Sequence, residues 1–123
     1  MDWKLELVTV PVTDVDRAKA FYVEKAGFVP DHDHAVDDGN LRFVQLTPRG
    51  SACSIAIGTG LTDTAPGTAN CQLVVADIHA ARDELIGRGL DVGEVQSFDW
   101  GSFVFFADPD GNRWAVQQIP PRD

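Results

Sequence analysis

Two stretches of the chain share one pattern of apolar and polar positions. Residues 10–28 and 73–90 each begin with an apolar run that ends at an aspartate, Asp14 or Asp77. Apolar residues at helical spacing follow in both stretches. Asp14 and Asp77 can accept hydrogen bonds from the free N–H groups of a helix's first turn and suit its positive end. The pattern therefore predicts two copies of a strand followed by a helix.

Three short strand candidates follow each predicted helix. Their positions are residues 31–36, 41–47 and 52–58 in the first copy, and 91–96, 102–107 and 113–118 in the second. The segments Asp37–Asn40 and Asp108–Gly111 consist of turn-forming residues and predict hairpins. Each copy is thus predicted to have the order β-α-β-β-β, which makes the fold class α+β.

The duplication divides the chain into two modules of one domain. Module one covers about residues 4–58, module two about residues 69–119, and a segment rich in Gly, Thr and Pro links them at 59–68. A module of about 55 residues buries too little apolar surface to be stable alone, so the modules should pack together. Packing within one chain and exchange across a dimer are both compatible with the sequence, and we expect a homodimer.

The charge and composition limit the kinds of partner. A net charge of −9 disfavours nucleic acid, whose phosphates need a basic surface. It would suit a cationic ligand, although solubility alone also explains it. No apolar run approaches the roughly 18 residues of a membrane span, and no secretory signal is recognisable, so we expect a cytoplasmic protein. Cys53 and Cys71 lie in apolar strand sequence and are expected to be buried, reduced thiols.

Two sequence segments and the duplication point to a known family. Val10–Phe28, "VPVTDVDRAKAFYVEKAGF", and Phe105–Gln118, "FFADPDGNRWAVQQ", resemble the vicinal oxygen chelate superfamily. That superfamily includes glyoxalase I, bleomycin-resistance proteins and extradiol dioxygenases. The resemblance covers nearly the whole chain and implies two βαβββ modules whose mixed sheet forms a cup.

Metal-dependent members of that superfamily place four ligands on the concave face of the cup. Carried over by position, these sites fall at Leu7, Ala56, Asn70 and Ala115. Leucine and alanine have no donor atom, and Asn70 offers one neutral amide oxygen. A divalent metal that acts as a Lewis acid normally has three or more His, Asp, Glu or Cys ligands. We therefore expect no metal and no cofactor.

Strand alternation, with Ala115 facing into the cup, predicts the residues that line it. The candidate ligand-binding residues are Phe43, Gln45, Ala56, Asn70, Gln72, Trp100, Phe103, Phe105, Arg113, Ala115 and Gln117. Trp114 and Val116 should face the helices instead. Apolar walls with a few polar groups are typical of small-molecule pockets. The alternative is that Phe103 and Phe105 only fill a core.

Two further features suggest chemistry. Asp99–Asn112 is similar to a stretch of bleomycin-resistance proteins, which are acidic dimers that use no metal. In those proteins the tryptophan of a Trp-Gly pair stacks on a flat part of the drug, which implies stacking by Trp100 here. The alternative is that Trp100 only covers the rim of the cup. His32 and His34 share a face of their predicted strand and could chelate a metal. The neighbouring aspartates indicate a solvated edge instead.

These features favour a metal-free protein that binds a small organic ligand, a planar or cationic antibiotic or metabolite. The alternative is a metal-independent lyase or isomerase in which Gln45, Asn70, Gln72 or Gln117 polarises the substrate. That alternative lacks a general base, because the predicted lining contains no His, Asp or Glu. A purely structural or partner-binding role ranks third.

Overall fold

A computed structural model describes residues 1–120. The strands are β1 (Leu7–Thr9), β2 (Val29–Val36), β3 (Leu41–Thr47), β4 (Ser54–Thr59), β5 (Asn70–Val74), β6 (Gln96–Phe98), β7 (Gly101–Ala107) and β8 (Arg113–Gln118). The helices are α1 (Val15–Ala20), which continues as a π-helical turn (Phe21–Lys25), and α2 (Ile78–Gly87); a 3₁₀ turn spans Asp37–Gly39. Neither helix of the described chain is long and apolar enough to cross a membrane.

The strands form two four-stranded mixed sheets, one from each module. The first has the order β1-β4-β3-β2 and the second β5-β8-β7-β6. In each sheet the first strand of the module runs parallel to the last, and the other pairs are antiparallel. The predicted α+β fold with two βαβββ modules is therefore confirmed.

Both helices start where the aspartate pattern predicts. The Asp14 carboxylate accepts a hydrogen bond from the backbone N–H of Arg17, and Asp77 accepts two from the first turn of α2. The first copy of the repeated segment is one residue longer than the second. A π-helical turn accommodates one extra residue in a helix, and the turn at Phe21–Lys25 does so here.

The strand predicted at 91–96 is wrong, because β6 begins only at Gln96. Val92 is buried in the core, and the carbonyl of Gly93 accepts a hydrogen bond from Arg82 Nε at 2.8 Å. These contacts hold residues 91–95 against α2 instead of in a sheet. The strand that follows exposes the ring of Phe98.

The two modules pack against each other within the chain through one aromatic cluster. Tyr22 from module one is fully buried, and its ring centroid lies 5.4 Å from Phe28 and 5.7 Å from Trp114 of module two. Phe106 stacks on the other side of Trp114, with centroids 5.9 Å apart. Since this cluster lies on the helical side of both sheets, the opposite faces of the sheets remain open.

A buried hydrogen-bond network joins the modules beside the aromatic cluster. The Asp108 carboxylate accepts from Tyr22 Oη at 2.7 Å and from Asn112 Nδ2 at 2.8 Å. Asn112 also donates to the Pro11 carbonyl at 2.8 Å and accepts from the Ala69 N–H at 3.0 Å. Burial, followed by the hydrogen bond to Asp108, raises the pKa of Tyr22 far above its usual range, so the phenol stays a donor. We call Tyr22, Asp108 and Asn112 the intermodule network.

Both cysteines are free thiols, and each is half-buried rather than fully buried. Burial raises the pKa of Cys71, which keeps its sulfur in the less reactive thiol form.

A charge network ties α1 to the sheet of module one. Arg42 donates from Nε and Nη2 to the two oxygens of Asp33 at 3.1 and 2.9 Å, and from Nη1 to Asp16 at 2.7 Å. Lys19 Nζ donates to the same Asp33 carboxylate at 2.8 Å. The hydrogen bond from Arg42, followed by that from Lys19, holds the pKa of Asp33 well below its usual range.

Replacing Asp33 with asparagine should therefore lower the free energy of unfolding by about 0.5–1 kcal/mol at pH 7. The loss is small because the Asp33 side chain is 30% exposed and solvent screens its ion pairs with Lys19 and Arg42. The depressed pKa stabilises the fold fully above the unfolded-state value near 3.9 and progressively less as the pH falls below it. Urea titrations of both proteins at pH 7 and pH 3 should show the difference shrinking at the lower pH. A difference that stays constant or grows would contradict the assignment.

Candidate functional site

The open face of the second sheet presents most of the predicted site residues. Ala115 on β8 pairs with Phe105 on β7 and with Gln72 on β5. Phe103 on β7 pairs with Gln117 on β8, so all five side chains share one face. The residues between them on β8 are Trp114 and Val116, which are 3% and 2% exposed on the helical side. The predicted orientation of β8 is thus the observed one.

Four aromatic rings run in sequence along this face. Trp100 stacks on Phe98 with centroids 4.9 Å apart and planes 7° apart, Phe98 meets Phe103 edge-on at 6.0 Å, and Phe103 stacks on Phe105 at 5.9 Å. Trp100 is 64%, Phe105 47% and Phe98 45% exposed, whereas Phe103 is buried between its neighbours. We call these four residues the aromatic ladder. Such rings offer flat faces to a flat ligand, since offset stacking is favourable.

An open cavity of about 630 Å³ begins at the inner end of the ladder. Phe105, Ala115, Asn70, Gln72 and Arg113 line it, with parts of the neighbouring strand residues. Its volume lies within the roughly 300–1,000 Å³ that small-molecule sites usually have. Arg113 is the charged residue of this lining, so the cavity suits a ligand with carbonyl or acidic groups better than a cation.

Two glutamines and a glycine position the outer end of the ladder. Gln72 Nε2 donates to Gln117 Oε1, and Gln117 Nε2 donates to the Trp100 carbonyl at 3.0 Å. A Cβ atom at Gly101 would lie 2.9 Å from the backbone carbonyl oxygen of Gln118, and Gly101 has φ +153°, so glycine is needed at this close approach. Gln117 is 9% exposed, so it has little free surface and its side chain mainly holds the backbone at Trp100.

The remaining predicted residues lie on the first sheet and do not line the same cavity. Phe43 lies opposite Gly58 and Gln45 opposite Ala56, so they share one face. Ala56 is 1% exposed and offers almost no surface to a ligand. Gln45 Nε2 donates to Ser54 Oγ at 3.1 Å on that face. Within the described chain, the eleven predicted residues are therefore divided between two separate faces.

The register of β2 corrects the expectation that the lining has no His, Asp or Glu. His32 lies opposite Gln45 and His34 opposite Phe43, so both imidazoles share the open face of the first sheet. Their rings stack with centroids 5.7 Å apart. The sequence signal was the two-residue spacing of the histidines, which predicts a common face but not which face.

The four positions that carry the metal in metal-dependent relatives do not fit a metal here. Leu7 and Ala56 lie on the first sheet, and Asn70 and Ala115 on the second. Between them they offer one amide oxygen, whereas a Lewis-acid metal needs three or more strong donors. In the part of the chain that the structure describes, no three His, Cys, Asp or Glu residues come together as a metal site.

Paired βαβββ modules with an open, aromatic-lined face define the class of this protein. Residues 4–116 match the family model of the Glyoxalase/Bleomycin resistance protein/Dioxygenase superfamily, and the chain belongs to that superfamily. The resemblance seen in the sequence is thereby confirmed.

Solved structures of relatives cover nearly the whole chain. One is TnmS3, an antibiotic binding protein from Streptomyces sp. CB03234, which is 31% identical with a TM-score of 0.85 over 97% of this chain and 98% of its own. A glyoxalase/bleomycin resistance protein from the same organism is 32% identical with a TM-score of 0.80, over 94% of this chain and all of its own. The uncharacterized protein YetH of Bacillus subtilis (strain 168) is 27% identical over 114 residues, 90% of this chain and 94% of YetH.

Proposed function

We propose that this protein binds a small, flat organic ligand, an antibiotic or metabolite, on the aromatic ladder without a metal. The observation that carries the proposal is the row of four rings from Trp100 to Phe105, which ends at a ligand-sized cavity. The likeness to the antibiotic binding protein TnmS3 supports a binding role. We propose that the protein sequesters its ligand in the cytoplasm without a membrane partner, and the acidic charge argues against nucleic acid as a partner.

The charge of the cavity refines the proposal from a planar or cationic ligand to a planar ligand with acceptor groups. A ligand stacked on Phe105 would place its edge near Arg113 and Asn70, which line the same cavity. A guanidinium group binds carboxylate and carbonyl oxygens well and repels cations. The net negative charge of the whole protein attracts cations only at long range, and salt screens that attraction.

The test uses two fluorescent probes of one size and opposite charge, anthracene carboxylate and aminoacridine. We expect the carboxylate to bind at least tenfold more tightly, with the same affinity in EDTA, and an Arg113→Gln variant to remove the preference. Binding of neither probe would overturn the proposal of a planar ligand. Binding that disappears in EDTA and returns with a divalent metal would overturn the proposal of a metal-free site.

We also propose a homodimer in which each cup takes one sheet face from each chain. The edge strands β1 and β5 pair on one side only, and unpaired edges are prone to pair with another chain. Next to β1, Trp3 and Leu5 are 89% and 67% exposed, and Val8 on the strand is 39% exposed. A second copy would cover these apolar side chains and bring the separate faces together.

Sedimentation at micromolar concentration should therefore give twice the 13.4 kDa mass of the chain. Trp3→Glu combined with Leu5→Glu should shift the equilibrium toward the monomer, because it places two charges in the interface. Ile86→Glu, on an exposed position of α2, is the matched control and should leave the dimer intact. A wild-type chain that sediments as a stable monomer would contradict the proposal.

A metal-independent lyase or isomerase is the second candidate, and one observation favours it. His32 and His34 supply imidazoles, the commonest general bases, on the same face as Gln45. Under this alternative, incubation with a metabolite extract should consume one component, and His32→Gln or His34→Gln should abolish that consumption while leaving probe binding unchanged. No consumption of any component would exclude the alternative for that extract.

A further inference from the structure

A second cavity lies between the modules on the side of the helices, away from the ladder. Its volume is about 150 Å³. Both modules contribute mainly apolar residues to it: Ala26, Phe28, Leu73, Val75, Ala81, Leu85, Phe106 and Val116. The cavity matches the size at which apolar cavities in proteins bind a single benzene molecule.

Charged side chains meet at the mouth of this cavity. Arg49, from the β3–β4 loop, and Glu84, from α2, line it and form an ion pair with Nη2 and Oε1 2.8 Å apart. The other Glu84 oxygen lies 3.9 Å from Arg88 Nε, too far for a hydrogen bond. Arg88 Nε is buried and has no hydrogen-bond partner among residues 1–120. Glu84 at the mouth thus has two guanidinium groups nearby, one from the lining residue Arg49 and one from Arg88 behind it, a local positive excess in an acidic protein.

The Arg88 guanidinium lies close to two residues that line the cavity, Gly27 and Glu84. A Cβ atom on Gly27, which lines the cavity, would lie 2.9 Å from Arg88 Cζ. Gly27 also has φ +76°, so a larger residue there would be strained. An anion at the mouth would therefore contact Arg49 directly and would also be attracted by the nearby charge of Arg88.

We propose that this intermodule cleft binds a small aryl carboxylate with a single ring, of the size of benzoate. The ring would occupy the apolar space under Phe28 and Phe106, and the carboxylate would pair with Arg49 at the mouth. A carboxylate paired with a guanidinium group makes strong, charge-assisted hydrogen bonds. The proposal is independent of the ladder, whose larger planar ligand would not fit into 150 Å³.

Occupancy of the cleft should also stabilise the fold. Because residues from both modules line it, the ligand contacts them only while the modules are packed together. A ligand that binds the folded but not the unfolded chain raises the midpoint of thermal unfolding as its concentration rises.

The experiment titrates the full chain with benzoate and with benzyl alcohol, its neutral counterpart, by calorimetry and by thermal unfolding. Benzoate should bind at least tenfold more tightly than benzyl alcohol and raise the unfolding midpoint. Arg49→Glu should weaken benzoate binding at least tenfold, and Ala81→Phe should abolish binding of both compounds by filling the cavity. Trp100→Ala, on the ladder, is the control and should change neither.

Each arm can overturn the proposal. Equal affinities for benzoate and benzyl alcohol, or unchanged benzoate binding by Arg49→Glu, would show that no carboxylate is recognised. Unchanged benzoate binding by a folded Ala81→Phe variant would place the ligand elsewhere. Absence of benzoate binding to the wild type would refute the site and leave the anthracene carboxylate result at the ladder unaffected. If Ala81→Phe does not fold, Arg49→Glu at the exposed mouth still decides the question.

Discussion

Replacing Asp108 with alanine should lower the free energy of unfolding by about 3–5 kcal/mol, a large share of the roughly 5–15 kcal/mol that typically stabilises a domain. The carboxylate is 5% exposed and accepts four hydrogen bonds, from Tyr22 Oη, Asn112 Nδ2 and the N–H groups of Asp110 and Asn112. Alanine would leave several of these buried donors without an acceptor, and each one left unpaired costs about 1–3 kcal/mol.

Urea unfolding followed by far-UV circular dichroism and by tryptophan fluorescence would measure the loss. Asp63→Ala, which removes an exposed linker aspartate, is the matched control and should change stability by less than about 0.5 kcal/mol. Tyr22→Phe removes one donor to Asp108 and one acceptor from Trp114, and should fall between the two variants. A loss below about 1 kcal/mol for Asp108→Ala would mean that water replaces the lost acceptor and that the network contributes little.

Removal of the Trp100 side chain should weaken binding of anthracene carboxylate roughly tenfold or more. Stacking on an aromatic side chain contributes about 0.5–1.5 kcal/mol beyond the buried area, and the area of an indole face adds to it. Because Trp100 is 64% exposed, its removal should cost little stability. Phe105→Ala should reduce both affinity and stability, since its ring also packs on Phe103.

Fluorescence titration of the probe, with thermal unfolding of each variant, separates the two effects. Trp3→Ala is the matched control: Trp3 is 89% exposed but lies outside the ladder, so affinity should be unchanged at protein concentrations that keep the dimer intact. Equal affinities of the wild type and Trp100→Ala would exclude stacking at the outer end of the ladder. A loss of affinity that is as large for Trp3→Ala would point to assembly rather than stacking as its cause.

The sequence predicted the modules well, since local rules determine them. The bounds of β3 and β8 agree with the predicted strands, and both helix starts follow from the aspartates at 14 and 77. Strand alternation also predicted the correct face for Arg113, Ala115 and Gln117. Successive side chains of a strand point to opposite faces, so these three face away from the core once Trp114 is assigned to it.

Sequence reasoning failed where tertiary contacts override the local pattern. Phe98 was missed because this strand was predicted at 91–96. Val92 packs in the core and Gly93 accepts a hydrogen bond from α2, so β6 begins only at Gln96, the last residue predicted for it. The face of His32 and His34 depends on the register between β2 and β3, which includes a bulge after Pro30. The division of the predicted lining between two sheets could not be predicted either, since it depends on how the modules pack.

The intermodule network also has an evolutionary consequence. In the internal repeat, Tyr22 of the first copy corresponds to Leu85 of the second, which has no hydroxyl to donate. The Asp-Pro-Asp-Gly-Asn turn occurs once, between β7 and β8, while Pro48–Gly50 lies in the corresponding β3–β4 loop. One half of the duplicated gene therefore carries the donor and the other half carries the acceptor. The two halves are therefore no longer interchangeable copies, because each supplies one partner of the buried hydrogen bond between Tyr22 and Asp108.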